Sequence, residues 1–110
     1  MYLSTVNDRI EIVTDAAATT TEPVFTASYQ DIVSTGMTIP QSSTQGSTVG
    51  TTDTVLVAAP LASTNRQIVY ISVFNSDSVA RTIRIYKDVS GTEYNLCLAL
   101  LQVGDTLEWS

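Results

Sequence analysis

Short apolar runs alternate with turn-forming segments in the second half of the chain, and this alternation constrains the fold more than any other feature. Between residues 54 and 110, runs rich in Val, Ile, Leu, Tyr and Thr are separated by polar stretches that contain Asn, Asp or Gly. The runs recur roughly every 8–13 residues, a spacing typical of an antiparallel β-sandwich or barrel. The predicted strands are 54–59, 67–74, 81–87, 93–100 and 106–109.

Helix is excluded as the main element of this fold. Long helix-forming side chains (Glu, Lys, Arg, Gln) are few, and no window keeps apolar residues at the i, i+3, i+4, i+7 spacing of an amphipathic helix. Threonine is abundant, and its β-branched side chain suits strands. The predicted fold class is therefore all-β, an antiparallel β-sandwich or barrel-like fold.

Alternation within the strands predicts which residues share a face. In the strand 81–87, Ile83 and Ile85 share one face, opposite Thr82, Arg84 and Tyr86. One face of the strand 93–100 carries Tyr94, Leu96, Leu98 and Leu100, and the other carries Asn95, Cys97 and Ala99. Cys97 is interpreted as a small buried hydrophobe.

The first half of the chain is less regular. Two further strands are predicted at 9–14, with Ile10 and Ile12 facing inward, and at 23–29. Residues 36–54, rich in Gly, Ser, Thr and Gln, are interpreted as a long low-complexity connection, a candidate arm that orders on a partner. We predict a β-sandwich domain over 27–110, with residues 1–26 forming either an extended N-terminal arm or the first strands.

The charge balance argues against two classes of partner. Five basic residues face eleven acidic ones, giving a net charge of −6, and Arg9 is the only basic residue before position 66. A nucleic-acid site needs Lys and Arg to neutralise phosphates, and anionic membrane surfaces attract the same side chains. Neither partner is expected. No apolar run approaches the roughly 20 residues that span a bilayer, and no secretory signal is visible, so folding in a cytoplasm is expected.

The residues needed for common catalytic sites are scarce. The chain has no histidine, one cysteine (Cys97) and one lysine (Lys87). A Ser/His/Asp or Cys/His site is therefore impossible, and we expect no enzyme activity and no cofactor. The acidic residues mostly fall at predicted turns or strand edges, which predicts that they are solvated. They include Asp8, Glu11, Asp31, Asp77, Asp88 and Asp105.

Two binding alternatives remain open at this point. The turns that contain Asn75-Ser76-Asp77 and Asp105 offer oxygen ligands for calcium, although turn chemistry alone explains these residues. Aromatic side chains on the predicted strands are candidates for a glycan-stacking platform, with packing in the core or at a protein interface as the other interpretations. These side chains are Tyr70, Tyr86, Tyr94 and Trp109.

Three segments carry a resemblance to a known group of proteins. The run from Thr54 to Asn75 contains a Val-Ala-Ala-Pro and Ser-Thr-Asn-Arg connection followed by a strand that ends in Asn. Together with Ala27-Ser28-Tyr29-Gln30-Asp31 and Gly104-Asp105-Thr106-Leu107-Glu108-Trp109, it resembles small tailed-bacteriophage virion structural proteins. The resemblance covers most of residues 27–110 and implies a β-sandwich capsid decoration (cement) protein, a head fibre or a tail-associated part. The group has no catalytic residues to carry over.

The resemblance also implies a place and a set of partners. We expect the chain in the virion, after synthesis in the bacterial cytoplasm, bound to the phage major capsid protein or another virion protein. A homo-oligomer is expected, with a trimer favoured because it would suit a local three-fold axis of a capsid. The alternative is a head- or tail-fibre component that binds carbohydrate or a host receptor.

Two apolar islands in the polar N-terminal sequence are candidate interface residues. They are Tyr2-Leu3 and Pro23-Val24-Phe25, which look too isolated to build a core. The competing interpretation is that they belong to ordinary strands of the same sandwich.

Overall fold

The computed structural model describes all residues from 1 to 110, and they form nine strands. The strands are β1 (Tyr2–Leu3), β2 (Asp8–Thr14), β3 (Val24–Val33), β4 (Ser42–Ser47), β5 (Thr54–Val57), β6 (Thr64–Phe74), β7 (Arg81–Val89), β8 (Thr92–Leu101) and β9 (Thr106–Trp109). All strand pairs are antiparallel. The structure contains no helix that could cross a membrane.

The strands form two sheets, which confirms the predicted all-β sandwich. Sheet 1 has the order β1-β6-β3-β4, and β9 pairs with β6 beyond the short β1. Sheet 2 has the order β5-β2-β7-β8. The sandwich thus has one lateral edge formed by β4 and β5 and another formed by β8, β9 and β1.

The core lies between the sheets and is built by alternate residues of the central strands. Ile10 and Ile12 are fully buried, as predicted, and Ile83 and Ile85 join them from the neighbouring strand β7. Leu3 and Phe25 are also core residues, with 0% and 5% of their surface exposed. The interpretation of these two as islands too isolated to build a core is therefore wrong, because β1 and β3 both pair with β6 and turn these side chains inward.

The turn between β7 and β8 is a two-residue hairpin loop. Val89 pairs with Thr92, and the loop residues Ser90 and Gly91 both have positive φ, at 53° and 91°. This is the combination that a type I′ turn requires, and it matches the twist of the flanking strands.

The low-complexity segment contains a strand that the sequence pattern does not show. Residues 36–54 are not one long connection, because β4 pairs along its whole length with β3, from Val24↔Ser47 to Tyr29↔Ser42. Backbone hydrogen bonds, which need no particular side chain, hold this strand on the sheet. Gly46 faces Phe25 across the pair, and a Cβ atom at Gly46 would lie 2.8 Å from the ring Cζ. The missing side chain leaves room for the buried ring.

The connection from β2 to β3 is fixed by one buried carboxylate. Asp77 accepts hydrogen bonds from the amides of Thr19 and Thr20 at 3.0 and 2.9 Å and from Arg81 Nε at 2.8 Å. Burial opposes its ionisation, but these bonds outweigh it and hold the pKa of Asp77 far below its usual value. The candidate calcium ligand is thus occupied by donors of the protein itself. The predicted solvated state is wrong for Asp77, and equally for the buried Asp8, Glu11 and Asp88.

Candidate interaction surface

The candidate interface residues from the N-terminal half do not converge on one surface. Tyr2 and Val24 are 48% and 44% exposed, whereas Leu3, Pro23 and Phe25 are buried. Tyr2 pairs with Gln67 and Val24 with Phe74, at opposite ends of β6. At about 3.3 Å per residue, seven residues along a strand separate them by roughly 23 Å. The pairing supports the interpretation of these segments as ordinary strands, and an interface role for Tyr2 and Val24 stays a prediction.

The strand aromatics do not form a shared platform either. Tyr86 is fully buried beneath Arg84, whose guanidinium carbon lies 4.2 Å from the ring centre. Its hydroxyl has no hydrogen-bond partner, and burial raises the pKa of Tyr86 above its usual value. Tyr70 donates to Glu108 at 3.1 Å, and Tyr94 and Trp109 are exposed. A glycan could therefore reach only some of these rings, and not Tyr86.

Exposed leucines lie on the outward face of β8. Leu98 and Leu100, which we call the leucine stripe, are 71% and 61% exposed. β8 pairs with β7, and Leu101 turns into the core while Cys97 packs against it. Because side chains alternate along a strand, the leucines between these positions point away from the other sheet. Single exposed leucines are ordinary, but a contiguous apolar patch marks an interaction surface.

The edge of β8 is open along its whole length. The strand pairs only with β7, so the backbone groups on its other side have no strand partner. Edge strands of this kind usually carry Lys, Pro or an inward charge that prevents pairing with another chain. β8 has none of these from residue 94 to residue 101. A register shift between Ile85 and Tyr86 leaves Leu96 as the bulged residue of β8. Leu96 therefore faces the gap between the sheets, and Asn95 faces outward, where its Oδ1 accepts a hydrogen bond from Arg84 Nε.

Charge is missing along β8 itself but not beside it. The ten residues from Tyr94 to Val103 are all uncharged, in a chain with sixteen charged residues. Arg84 on β7 is the direct cross-strand neighbour of Leu98, and its Nη2 is 2.7 Å from Glu93 Oε1. A partner that covers Leu98 therefore also meets this ion pair.

A small apolar cavity adjoins the stripe, where the two sheets meet at the open edge. It has a volume of about 90 Å³. Leu96 and Cys97 of sheet 2 line it together with residues of sheet 1 that include Ile71 and Leu107, and Met1 and Trp109 stand at its mouth. The cavity extends the apolar surface from the outside of β8 into the gap between β8 and β9.

This surface can contribute binding free energy but no chemistry. Fully burying a leucine side chain contributes about 1.5–3 kcal/mol, so covering Leu98 and Leu100, each roughly two-thirds exposed, would contribute about 2–4 kcal/mol together. Apart from the thiol of Cys97, no nucleophile or titratable acid lies among residues 95–103. The stripe was not among the functional residues predicted from the sequence. The alternation of residues along β8 predicts that its leucines share one face, but not that this face points outward.

A cluster of charged side chains lies where β2 begins and β7 ends. Glu11 and Asp88 are both buried, and Arg9 lies 3.2 Å from Glu11 and 3.7 Å from Asp88. Burial and the neighbouring Asp88 raise the pKa of Glu11, whereas the Gly91 amide and Glu11 lower the pKa of Asp88. Arg9 on β2 thus bonds an acid of its own strand and contacts one of β7, which ties the end of β7 to β2. No group of three or more acidic or thiol side chains is placed to hold a metal ion.

Comparisons of the chain with family models, with curated proteins and with solved structures gave no match. The fold, the surface and the resemblance seen in the sequence are therefore the grounds for a functional proposal.

Proposed function

We propose that the chain is a structural protein of a tailed-phage virion, of the capsid decoration (cement) type. It binds the phage major capsid protein or another virion protein by surface burial, and it works in the particle after synthesis in the bacterial cytoplasm. The leucine stripe on the open edge of β8 carries the protein-binding part of this proposal. The resemblance of residues 27–110 to phage virion proteins supplies the identity of the assembly.

The residues behind the resemblance hold the fold together. Arg66 donates two hydrogen bonds to Asp31, at 2.8 and 3.0 Å, and a third to the carbonyl of Ala58. The buried Asn75 donates from its side chain to the carbonyl oxygens of Val79 and Leu101, both at 3.0 Å. These contacts join the ends of strands and leave no reactive group free.

Assembly also fits the energetics of a small domain. An exposed apolar edge is a liability for a lone chain, and it becomes stabilising once another subunit covers it. The net charge of −6 keeps free copies apart before assembly. We propose a homo-oligomer, and the trimer expected from the sequence would match a local three-fold axis of a capsid.

Co-sedimentation of the full chain with capsids of the phage that encodes it tests this proposal. We expect binding that saturates at a fixed copy ratio and that weakens in Leu98→Lys. The matched control is Leu61→Lys, because Leu61 is 78% exposed in the connection between β5 and β6, away from β8. Absence of saturable binding by the wild-type chain would refute the virion proposal.

A glycan array separates the rival function from this one. Trp109 and Tyr94 are the exposed rings near the open edge. Specific glycan binding that Trp109→Ala abolishes, without capsid binding, would replace the decoration role by a receptor-binding one.

A further inference from the structure

We infer that the apolar cavity between β8 and β9, which we call the edge cavity, is a binding site for one small uncharged aromatic molecule. Seven of its eight lining residues are hydrophobic, and it has a volume of about 90 Å³. The inference goes beyond the proposed function, because the site lies within a single chain and needs no virion partner.

β8 and β9 build the two walls of the edge cavity. Trp109 lies opposite Ile71 of β6, and side chains directly opposite each other share a face of the sheet. Trp109 and its alternate neighbour Leu107 therefore both turn inward. From β8, Cys97 packs against the core, and the bulged Leu96 turns toward the same gap. The bulge thus brings two successive side chains of β8 to the cavity.

The interior of the edge cavity offers no group that would hold water or a charge. Ile71 and Ile85 line it where it meets the core, and they are 3% and 4% exposed. Its one charged lining residue is Glu108, whose carboxylate accepts a hydrogen bond from the Tyr70 hydroxyl at 3.1 Å. A buried water needs two to four polar partners, and an ion would lose its hydration here without compensation. The ligand is therefore uncharged and apolar.

The side chains at the mouth of the edge cavity favour an aromatic ring over an alkyl chain. Met1 and Trp109 stand there, 36% and 37% exposed. The thioether sulfur of a methionine gains from contact with a ring edge, and an indole gains from contact with another ring.

The volume of the edge cavity limits the ligand to a single ring. An apolar cavity of about 150 Å³ takes up a whole benzene molecule. The edge cavity, at about 90 Å³, is smaller but opens at its mouth, so one ring fits with an edge between Met1 and Trp109. A fused ring system is too large.

Titration of the full chain with benzene, followed by NMR of its methyl groups, tests the inference. We expect saturable ring-current shifts at Ile71, Ile85 and Leu107, with a midpoint on the order of 1 mM for a ligand of six heavy atoms. Indole, a fused ring, should give no saturable shift at these methyls. Cys97→Leu fills the cavity and should abolish the benzene shifts, whereas Leu98→Ala, on the outward face of β8, should leave them unchanged. Benzene shifts that do not saturate, or equal binding of indole, would overturn the inference.

Thiol labelling of the wild-type chain covers the case in which Cys97→Leu does not fold. Cys97 is the only cysteine, so reaction with methyl methanethiosulfonate, a small uncharged reagent, reports on the cavity wall alone. Benzene at ten times its NMR midpoint should slow this reaction roughly tenfold, because it then occupies the cavity in most molecules. A labelling rate that benzene does not change would refute occupation of the cavity. Neither measurement involves capsids, so the decoration role and the ligand site stand or fall separately.

Discussion

The sandwich has two lateral edges, and the contacts between the sheets are polar at one of them and apolar at the other. At the edge formed by β4 and β5, polar groups bridge the sheets: Thr44 Oγ1 donates to the carbonyl of Leu56 at 2.8 Å, and Arg66 Nη1 donates to Ala58 at the same distance. At the edge formed by β8 and β9, the sheets meet across the apolar cavity, and the leucine stripe lies outside it. The outer backbone groups of β4, β5 and β8 all lack a strand partner. The two edges differ in the gap between the sheets, which polar bridges close at the first edge, called the sealed edge below, and which is apolar at the second.

Two arginines give the sharpest test of this difference. Arg66 stacks on Tyr29 and pairs with Asp31, whereas Arg84 stacks on Tyr86 and pairs with Glu93. Arg66 is the more buried of the two, so Arg66→Met should lower the free energy of unfolding by about 2–4 kcal/mol, because it leaves Asp31 without its partner. Arg84→Met should have a much smaller effect. Urea denaturation of both variants measures the difference, and equal effects would contradict the assignment of a sealed edge.

Two leucines extend the comparison to apolar side chains. Leu56 on β5 is 1% exposed and Leu98 on β8 is 71% exposed. Leu56→Ala should cost about 2–5 kcal/mol through lost burial and a cavity. Leu98→Ala should change the stability of the separated monomer by less than about 0.5 kcal/mol. Chemical denaturation at concentrations below the dissociation midpoint separates folding from association. A large loss for Leu98→Ala under those conditions would show that the stripe belongs to the core.

Acid should weaken the buried carboxylate contacts, while β8 between residues 94 and 103 holds no group that titrates in the acid range. The pKa of Asp77 is lowered in the folded state, so its contribution to stability is present above the unfolded value near 3.8 and is lost as pH falls below it. The lowered pKa values of Asp8 and Asp88 act in the same direction, and the raised pKa of Glu11 opposes them.

Thermal unfolding followed from neutral to acid pH should therefore show a steep decline in Tm below about pH 4. Asp77→Asn should flatten that decline, although it lowers Tm at neutral pH. If Tm falls as steeply with acid in Asp77→Asn as in the wild type, Asp77 does not cause the acid sensitivity.

The smallest expected effect belongs to a single bridge of the sealed edge. Thr44→Val keeps the β-branched shape and removes the hydroxyl that bonds the Leu56 carbonyl. The loss should be about 0.5–1.5 kcal/mol, the net contribution of one such hydrogen bond. Thr52→Val, at an exposed position of the loop before β5, is the control. If both substitutions have the same effect, the bridge does not stabilise the edge.

Most of the fold follows from local patterns in the sequence. Strands with apolar alternation and flanking turn residues were predictable, including the inward faces of Ile10 and Ile12. β4 was not, because Ser42–Ser47 contains no apolar side chain and its strand conformation comes from pairing with β3. The buried Asp77 was likewise missed, since its donors Thr19 and Thr20 lie far from it in the sequence. Glu11 was missed although its donor Arg9 is only two residues away, because the burial of Glu11 depends on the packing around its strand.

The sequence predicted only part of the candidate surface. Alternation predicted Leu96, Leu98 and Leu100 on one face, which is wrong for Leu96, because the bulge at this residue interrupts the alternation and turns it toward the gap between the sheets. The opposite face of β8 carries Cys97, Ala99 and Leu101, which are also compatible with a core. Which face points inward depends on where β8 sits in sheet 2 and on what lies across from it. Both facts are set by strand order, which a single sequence does not encode locally.

The fit between Gly46 and the Phe25 ring has a consequence for how this protein tolerates change. A stretch composed almost entirely of Ser, Thr, Gln and Gly invites the view that its positions are interchangeable. One of them has a strict size limit, because any larger residue would push a buried aromatic ring out of its place. Among its descendants the low-complexity segment should therefore drift at its exposed serines while it keeps this one glycine fixed.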